Sequence, residues 1–318
     1  MTDFNANPDV TKAQRAQQFD REHARSLRAL AYRMLGSRAD AEDIVQEAWL
    51  RWAEVDAHGI THAGAYLSRI VTHLCLDRLG SAQARREQYV GVWLPEPLLD
   101  DEPMTGWSPD PAAQAEFAQD VSVAFMLALE RLSPLERAAF LLHEVFDLDF
   151  EEIAQRLARS PAACRQLTSR ARKHVKADYA RREVAEEERQ RLFEAFNAAV
   201  LSRDMEALTR VLTEDAVMLT DGGGKVHAVP RPLHGGPLIA KVFIGFAELR
   251  ANQGWRLVPA RVNGLPGCLV FDDAVGGRLV QTVALAPAAN QSGRIGAIYI
   301  QRNPDKLQAI LARLRASA

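Results

Sequence analysis

The stretch LERAAFLLHEVFDLDFEEIAQRLARSPAACRQLTSRARKHV, residues Leu135–Val175, decides the fold of the central part of the chain. The preceding Ser133-Pro134 and Glu136 form a capping box with proline in the first helical position, which predicts the start of a helix. Asp149-Phe150-Glu151-Glu152 starts a short second helix, and Ser160-Pro161 begins a third after a turn of only a few residues. Two short helices joined this tightly predict a helix-turn-helix.

The last of these helices, about Ser160–Ala177, has two different faces. Cys164, Leu167, Ala171 and Val175 recur at helical spacing and form the predicted buried face. The other surface carries the predicted DNA-binding residues of an upstream element: Arg165, Gln166, Ser169, Arg170, Arg172, Lys173 and Lys176. Arginine and glutamine read base edges in the major groove, whereas lysine and arginine hold phosphates. A solvated basic face on an ordinary bundle helix is the alternative, and the tight preceding turn favours DNA binding.

Residues of about 15–90 form a second helical segment. Periodic apolar residues predict a helix that ends at Gly36, a second helix capped by Ser37, and a third over about 62–79. The second helix buries a stripe that includes Trp49 and Trp52 and turns its charged side chains outward. The predicted protein-binding residues are Asp40, Asp43, Gln46, Glu47, Arg51 and Trp52, because aromatic anchors commonly carry binding energy. A solvated charged face over a tryptophan-rich core remains the alternative.

A basic stretch close to an aromatic residue follows the third helix. Such a stretch can track a nucleic-acid backbone and stack an unpaired base. Basic residues after a helix also complement its dipole without any further function, and this alternative stays open. The residues concerned are Asp77, Arg78, Arg85, Arg86 and Tyr89.

The remaining segments differ in character. Residues 91–111 are rich in proline, glycine and acids and predict a linker. Residues 112–180 contain the helix-turn-helix. Residues 188–318 predict an α+β domain with a curved antiparallel sheet, in which Gly222-Gly223-Gly224 and Gly276-Gly277 form hairpin turns. Its expected helices begin near 188, 237 and 303, and its expected strands are AVMLT, KVHAV, WRLVPARV, CLVF, RLVQTVAL and RIGAIYI.

Composition limits the function classes. The 318 residues have a net charge of −2, so any attraction to nucleic acid has to come from local basic patches. No apolar run approaches the roughly 20 residues of a membrane span, and the polar N-terminus fits neither a signal nor a transit peptide. Cys75, Cys164 and Cys268 lie far apart among apolar neighbours, which predicts reduced core cysteines. We therefore expect a cytoplasmic protein without a metal, a cofactor or a membrane partner.

Two motifs resemble a known family. GSRADAEDIVQEAWLRW, Gly36–Trp52, is similar to conserved region 2 of sigma-70 family factors, and Leu135–Val175 is similar to their region 4. Regions 2 and 4 with only a linker between them are the layout of the extracytoplasmic-function (ECF) group. Three short motifs resemble signatures of the subgroup with a SnoaL-like C-terminal extension: WLPEPL (Trp93–Leu98), DGGGK (Asp221–Lys225) and NPDKL (Asn303–Leu307). That extension is similar to the nuclear-transport-factor-2 and ketosteroid-isomerase fold, a cone of sheet and helices around a pocket.

The resemblance implies a role for each segment. Asp40–Trp52 would bind the clamp coiled coil of core RNA polymerase, and further contacts would reach the flap. Asp77–Tyr89 would melt and read the promoter element near −10, and Pro161–Lys176 would read the element near −35. The acidic linker residues Asp100, Asp101, Glu102 and Asp110 would suit a path through the polymerase cleft.

The C-terminal domain is expected to regulate these activities from within the chain, with a small ligand of unknown identity in its pocket. The expected interdomain regulatory residues are Trp93, Leu94, Pro95, Glu96, Pro97, Asp221, Gly222, Gly223, Gly224, Lys225, Asn303, Pro304, Asp305, Lys306 and Leu307.

Two other functions compete with this interpretation. The C-terminal domain could be an isomerase or hydrolase that uses Asp215, Asp221, His227 or Tyr299, but these residues have no diagnostic spacing and fold analogy is a poor basis for chemistry. A ligand-sensing helix-turn-helix repressor would leave the acidic and tryptophan-rich helix Asp40–Trp52 without a purpose. The sequence therefore favours an initiation factor over an enzyme.

Overall fold

The computed structural model describes residues 12–55, 60, 62–86, 89–99, 121–178, 184–250 and 254–316. They fall into two compact units, one built from the helical segments and one from the C-terminal domain together with the described residues 89–99 and 121–123. Within the described ranges, no helix is both long and apolar enough to cross a bilayer. The division into segments 15–90, 91–111, 112–180 and 188–318 stays a prediction.

The first unit is helical throughout its described residues. Its helices are α1 (Lys12–Phe19), α2 (Arg25–Leu35), α3 (Arg38–Glu54), α4 (Ala63–Arg86), α5 (Val123–Glu130), α6 (Pro134–Glu144), α7 (Phe150–Leu157) and α8 (Pro161–Asp178). A π-helical turn, Asp20–Ala24, joins α1 to α2. Helix α4 continues to Arg86, seven residues beyond its expected end, because Gly80 is tolerated on its exposed side.

Local signals set the helix ends as predicted. Ser133 and Glu136 form the complete capping box before α6, and the side chain of Asp149 caps α7. The hydroxyl of Ser37 accepts a hydrogen bond from the Asp40 amide at the start of α3. Gly36 ends α2 with φ of 68° and donates its N–H to the carbonyl of Tyr32. Each cap satisfies backbone groups that a helix end leaves without partners.

Helices from before and after the linker pack together in this unit. The guanidinium of Arg137 on α6 is 2% exposed and donates to the carbonyl of Met34 at 2.6 Å. On α7, Arg156 donates to the hydroxyl of Ser68 on α4 at 3.1 Å. Buried arginines need several acceptors, so these two residues fix how the two groups of helices meet.

The second unit is an α+β domain with a six-stranded sheet in the order β2-β1-β6-β5-β4-β3. The strands are β1 (Leu212–Asp221), β2 (Leu233–His234), β3 (Trp255–Val262), β4 (Leu265–Asp272), β5 (Arg278–Pro287) and β6 (Ile295–Gln301). The helices are α9 (Glu186–Ser202), α10 (Met205–Val211), α11 (Gly236–Arg250) and α12 (Gln308–Ala316). Phe193 and Phe196 of α9 and Ile239 of α11 share one apolar core with the sheet.

Four expectations for this domain were wrong. The sheet is mixed and not antiparallel, because β1 and β6 lie side by side and run parallel. KVHAV forms a turn and loop instead of a strand, since its residues are largely exposed and pair with no neighbouring strand in the described sheet. Gly222–Gly224 therefore lead into a long loop before β2, whereas Gly276-Gly277 do lie between the antiparallel strands β4 and β5. NPDKL forms turns, and the last helix begins only at Gln308.

Candidate nucleic-acid interface and linker cluster

Helix α8 has the two faces that its sequence predicts. Cys164, Ala171 and Val175 are buried, and Leu167 is half-buried beside the buried Thr168. All of the predicted DNA-binding side chains on this helix are exposed: Arg165, Gln166, Ser169, Arg170, Arg172, Lys173 and Lys176. The helix therefore presents a continuous basic and polar surface of the kind that enters a major groove.

Three arginines on this surface already have acidic partners within the unit. Arg165 pairs with Glu151 at 3.3 Å, Arg170 pairs with Glu136 at 3.1 Å, and Arg172 pairs with Glu144. Burial opposes ionisation of Glu136, but hydrogen bonds from Ser133 and the charge of Arg170 leave its pKa below the ordinary value. The sequence analysis missed these pairs, because their acids lie on α6 and α7.

The predicted protein-binding surface on α3 is largely accessible. Asp43, Gln46 and Arg51 are exposed and Glu47 is half-buried. Trp52 is 2% exposed and packs on Tyr66 with ring centroids 5.7 Å apart, and its assignment to a partner contact stays a prediction. The buried ring of Trp52 stabilises α3 by packing in the core of this unit.

Two predicted surfaces meet at one ion pair. Asp40 on α3 accepts a hydrogen bond from Arg78 on α4 at 2.7 Å, although the two residues were assigned to polymerase and to DNA respectively. Asp77 is exposed and also lies on α4, and the backbone of this helix continues through Arg85 and Arg86. The acids Asp100, Asp101, Glu102 and Asp110 lie outside the described residues.

Tyr89 lies in a site of the C-terminal domain. Its hydroxyl donates to Oδ1 of Asp221 at 2.6 Å and accepts from the side-chain amide of Asn303 at 2.9 Å. Burial and the neighbouring Asp221 carboxylate raise the pKa of Tyr89 above its ordinary value. In this structure the C-terminal domain therefore holds this tyrosine, and its assignment to the melting segment stays a prediction.

Asp221 is the centre of this site, which we call the linker cluster (Tyr89, Trp93, Leu94, Asp221, Gln301, Asn303 and Lys306). Its carboxylate is fully buried. Besides Tyr89, Oδ1 accepts from the Gly223 amide at 2.9 Å. Oδ2 accepts from the Leu94 amide at 2.9 Å and from Gln301 at 3.2 Å. A buried carboxylate is stable only with this number of donors.

Lys306 supplies the positive charge of the cluster. Its ammonium lies 2.8 Å from Oδ2 of Asp221 and donates to the carbonyl of Leu94 at 2.5 Å. The same group lies 4.4 Å from the ring centroid of Trp93 and 5.0 Å from that of Tyr89. Two aromatic faces and a carboxylate together form a cage for a cation. Lys306 of NPDKL thus contacts Tyr89, Trp93 and Leu94 on the linker side. It also contacts Asp221 of DGGGK.

The glycines of DGGGK are required by close packing. Gly223 has φ of 61°, and a Cβ there would lie 2.3 Å from the Asn303 side chain. Gly224 has φ of 69°, and a Cβ there would lie 3.0 Å from Val90. Only glycine combines this backbone conformation with such an approach. The motif therefore brings the linker and NPDKL together instead of forming a simple hairpin.

A second anchor holds the other end of the WLPEPL segment. Asn263 lies in the turn between β3 and β4. Its side-chain oxygen accepts a hydrogen bond from the Leu98 amide at 3.1 Å, and its backbone N–H donates to the Leu98 carbonyl at 2.8 Å. Leu94 and Leu98 are buried to 2% and 1% exposure. Asn263 and Gln301 were missed by the sequence analysis, although an Asn-Gly turn between two strand patterns is a recognisable signal.

Comparison with known proteins identifies the family. Residues 19–85 match the family described as Sigma-70 region 2, and residues 122–175 match Sigma-70, region 4. Over 296 residues, the chain is 37% identical to the ECF RNA polymerase sigma factor SigJ of Mycobacterium tuberculosis, covering 88% of this chain and 89% of the relative. The chain belongs to the ECF sigma factors.

Further relatives agree with this assignment. The crystal structure of M. tuberculosis SigJ aligns with a TM-score of 0.68 and 33% identity, covering 89% of this sigma factor and 95% of that chain. A probable ECF RNA polymerase sigma factor, SigI of M. tuberculosis, is 30% identical over 297 residues, with 92% and 95% of the two chains covered. Both alignments run through the C-terminal domain, so this domain is part of the shared architecture.

The family to which the chain belongs consists of sigma factors and not of enzymes, and the structure places the four residues considered for catalysis as follows. Asp221 is enclosed in the linker cluster and Asp215 is exposed. Tyr299 is buried outside the cavity of the domain, and of the four candidates His227 alone lines that cavity in the described chain. A general base needs a positioned partner in the pocket, and these residues are not brought together.

Proposed function

We propose that this ECF sigma factor directs core RNA polymerase to promoters and that its C-terminal SnoaL-like domain controls it by holding the linker between regions 2 and 4. The observation that carries the proposal is the buried Asp221–Lys306 pair, which binds both the amide and the carbonyl of Leu94. Such a pair has no purpose in a flexible tether.

The DNA- and polymerase-binding surfaces follow from the region assignments. Helix α8 enters the major groove of the upstream element, with Arg165, Gln166 and Ser169 near its N-terminal end placed to read bases. The exposed residues of α3 bind the clamp coiled coil of the polymerase, and region 4 reaches the flap. Asp77, Arg78, Arg85 and Arg86 act at the downstream element. The exposure of α8 and of Asp43, Gln46 and Arg51 supports these roles.

Control by the linker follows from how the chain is connected. The linker joins region 2 to region 4, and these regions pack together through Arg137 and Arg156. Engagement of two separate promoter elements requires the regions to move apart and the linker to extend through the polymerase cleft. A linker fixed at Leu94 and Leu98 cannot extend. The held state is therefore the resting state, and release of the linker is the activating step.

Multi-round transcription with purified core polymerase tests the proposal. The template is the chain's own upstream region, and the sigma factor is added at limiting core concentration. We expect transcripts that depend on the added protein, and a several-fold higher yield from the full-length Lys306→Met variant, because this change removes the cation that holds Leu94. Lys225→Met is the matched control, since its pair with Asp305 is exposed and contacts no linker residue.

The outcomes separate the two parts of the proposal. Equal yields from the Lys306→Met variant and the parent would contradict control through the linker but leave the sigma function intact. A protein that bound promoter DNA tightly by itself and failed to bind core polymerase would instead be a sensor-repressor.

A further inference from the structure

The C-terminal domain contains a cavity of about 1000 Å³ that the linker cluster does not use. One wall is the inner face of the sheet, where Val270, Val283 and Ile300 line it. The opposite wall comes from helices α9 and α11, with Phe196 and Phe243 in an edge-to-face contact at 5.1 Å. Ligand sites in proteins have this size and this largely apolar lining.

The cavity wall contains two buried polar side chains, and one of them has no hydrogen-bond partner in the described structure. The hydroxyl of Thr220 on β1 is buried and unpaired, with the residue 5% exposed. Gln281 on β5, at 9% exposure, places a second polar side chain in the same wall. An unpaired buried polar group destabilises the folded state, because it has lost its hydrogen bonds to water. Such groups are retained where a bound molecule supplies the missing partner.

The charges around the cavity have one sign. Arg203 and Arg302 contribute to its lining together with Lys225, whose charge is paired with Asp305, and no aspartate or glutamate lines it among the described residues. The guanidinium of Arg302 also donates to the carbonyl of His227, which holds it beside the loop that follows DGGGK. An excess of positive charge beside an apolar wall attracts an anionic ligand, and the absence of a carboxylate removes the repulsion that such a ligand would meet.

We infer that this cavity binds an apolar ring compound carrying an anionic group such as a carboxylate, with Gln281 and Thr220 hydrogen-bonded to polar atoms of the ligand. The apolar rings contact the phenylalanines and the sheet face, and the basic residues balance the anion. A ligand bound here would extend the proposed regulatory function of the domain. Its binding can nevertheless be measured without polymerase or promoter DNA. Thr220 and Ile300 face the cavity, whereas the next residues on the same strands, Asp221 and Gln301, hold the linker.

Fluorescence titration of the full-length protein tests the site with two probes. The first is 1-anilinonaphthalene-8-sulfonate, which combines fused rings with an anionic sulfonate. The second is N-phenyl-1-naphthylamine, which has the same rings without the sulfonate. We expect one molecule of the anionic probe to bind per chain, at least tenfold more tightly than the neutral probe. Equal affinity for the two probes would overturn the proposed preference for an anion.

Variants of the wall locate the bound probe. Gln281→Leu and Thr220→Val keep the side-chain size but remove the polar atoms. We expect each to weaken the anionic probe about fivefold and to change the neutral probe less than twofold. Val283→Trp fills the cavity and is expected to abolish binding of both probes. Val275→Trp is the control, because Val275 is 59% exposed and lies outside the cavity.

Circular dichroism and thermal melting identify any variant that fails to fold. If Val283→Trp does not fold, the two size-preserving variants decide the result. Unchanged binding of the anionic probe in both of them would contradict the proposed site. The titration contains no polymerase, so its failure would leave the linker proposal untouched, and failure of the transcription test would leave the ligand site untouched.

Discussion

Two lysines in the C-terminal domain make similar ion pairs in different surroundings. Lys306 pairs with the fully buried Asp221, and the lysine side chain is 15% exposed. Lys225 pairs with Asp305, and both side chains are more than half exposed. Removal of one partner from a buried pair leaves an uncompensated charge, whereas an exposed pair is screened by solvent. The same substitution should therefore have very different effects at the two positions.

We expect Lys306→Met to lower the free energy of unfolding of the C-terminal unit by about 3 kcal/mol. Lys225→Met should lower it by less than about 1 kcal/mol. Urea unfolding of the full-length protein, followed by circular dichroism, measures both values. Similar losses at the two positions would show that burial of Asp221 does not govern the strength of its pair, and the linker cluster would lose its energetic basis.

Residues whose roles depend on near neighbours could be predicted from sequence, and residues with distant partners could not. Ser133 and Gly36 act on backbone groups within a few positions, so their caps were predicted correctly. Tyr89 lies 132 positions from Asp221, and nothing in its local pattern distinguishes a tyrosine that stacks a base from one that binds a carboxylate. DGGGK and NPDKL were recognised as motifs, but their contacts come only from the fold.

The same distinction holds for whole elements. The short apolar run typical of a strand located β1, β3, β4, β5 and β6, because it reports which residues of a strand are buried. It does not report which strands are neighbours, and the parallel pairing of β1 with β6 was therefore missed. KVHAV alternates as a strand does, yet it lies in a loop where Lys225 pairs with Asp305 and His227 accepts from Arg302 through its carbonyl.

The basic face of α8 leads to a prediction at the scale of one helix. Arg165, Arg170 and Arg172 have acidic partners in the unit, whereas Lys173 and Lys176 have none among the described contacts. The lysines are therefore free to neutralise phosphates without first breaking an ion pair. Each phosphate contact contributes about one unit to the slope of log affinity against log salt concentration.

We expect Lys173→Gln and Lys176→Gln each to reduce that slope by about one and to weaken binding equally on different promoters. The measurement is promoter binding by the holoenzyme over a series of salt concentrations. Lys241→Gln on α11 is the control, since Lys241 is exposed on the C-terminal domain. A change in promoter preference without a change in slope would mean that these lysines contact bases instead of phosphates.

At the scale of the whole molecule, polymerase and the C-terminal domain compete for one linker. If the domain holds the linker in the free protein and polymerase requires it extended, each must weaken the hold of the other by the same factor. The amides of Leu94 and Leu98 report directly on the held state, because they donate to Asp221 and Asn263 respectively.

Hydrogen–deuterium exchange measures this competition in the peptide that covers residues 91–99. We expect slow exchange in the free sigma factor and faster exchange when core polymerase is bound, because binding pulls the two amides away from their acceptors. Lys306→Met should speed exchange in the free protein and tighten binding to core polymerase. Both effects should have the same size, about 5–150-fold, which corresponds to a coupling free energy of about 1–3 kcal/mol. Lys225→Met should change neither. Unchanged protection of Leu94 in the complex would contradict the competition, because the linker would then remain on the C-terminal domain while the polymerase is engaged.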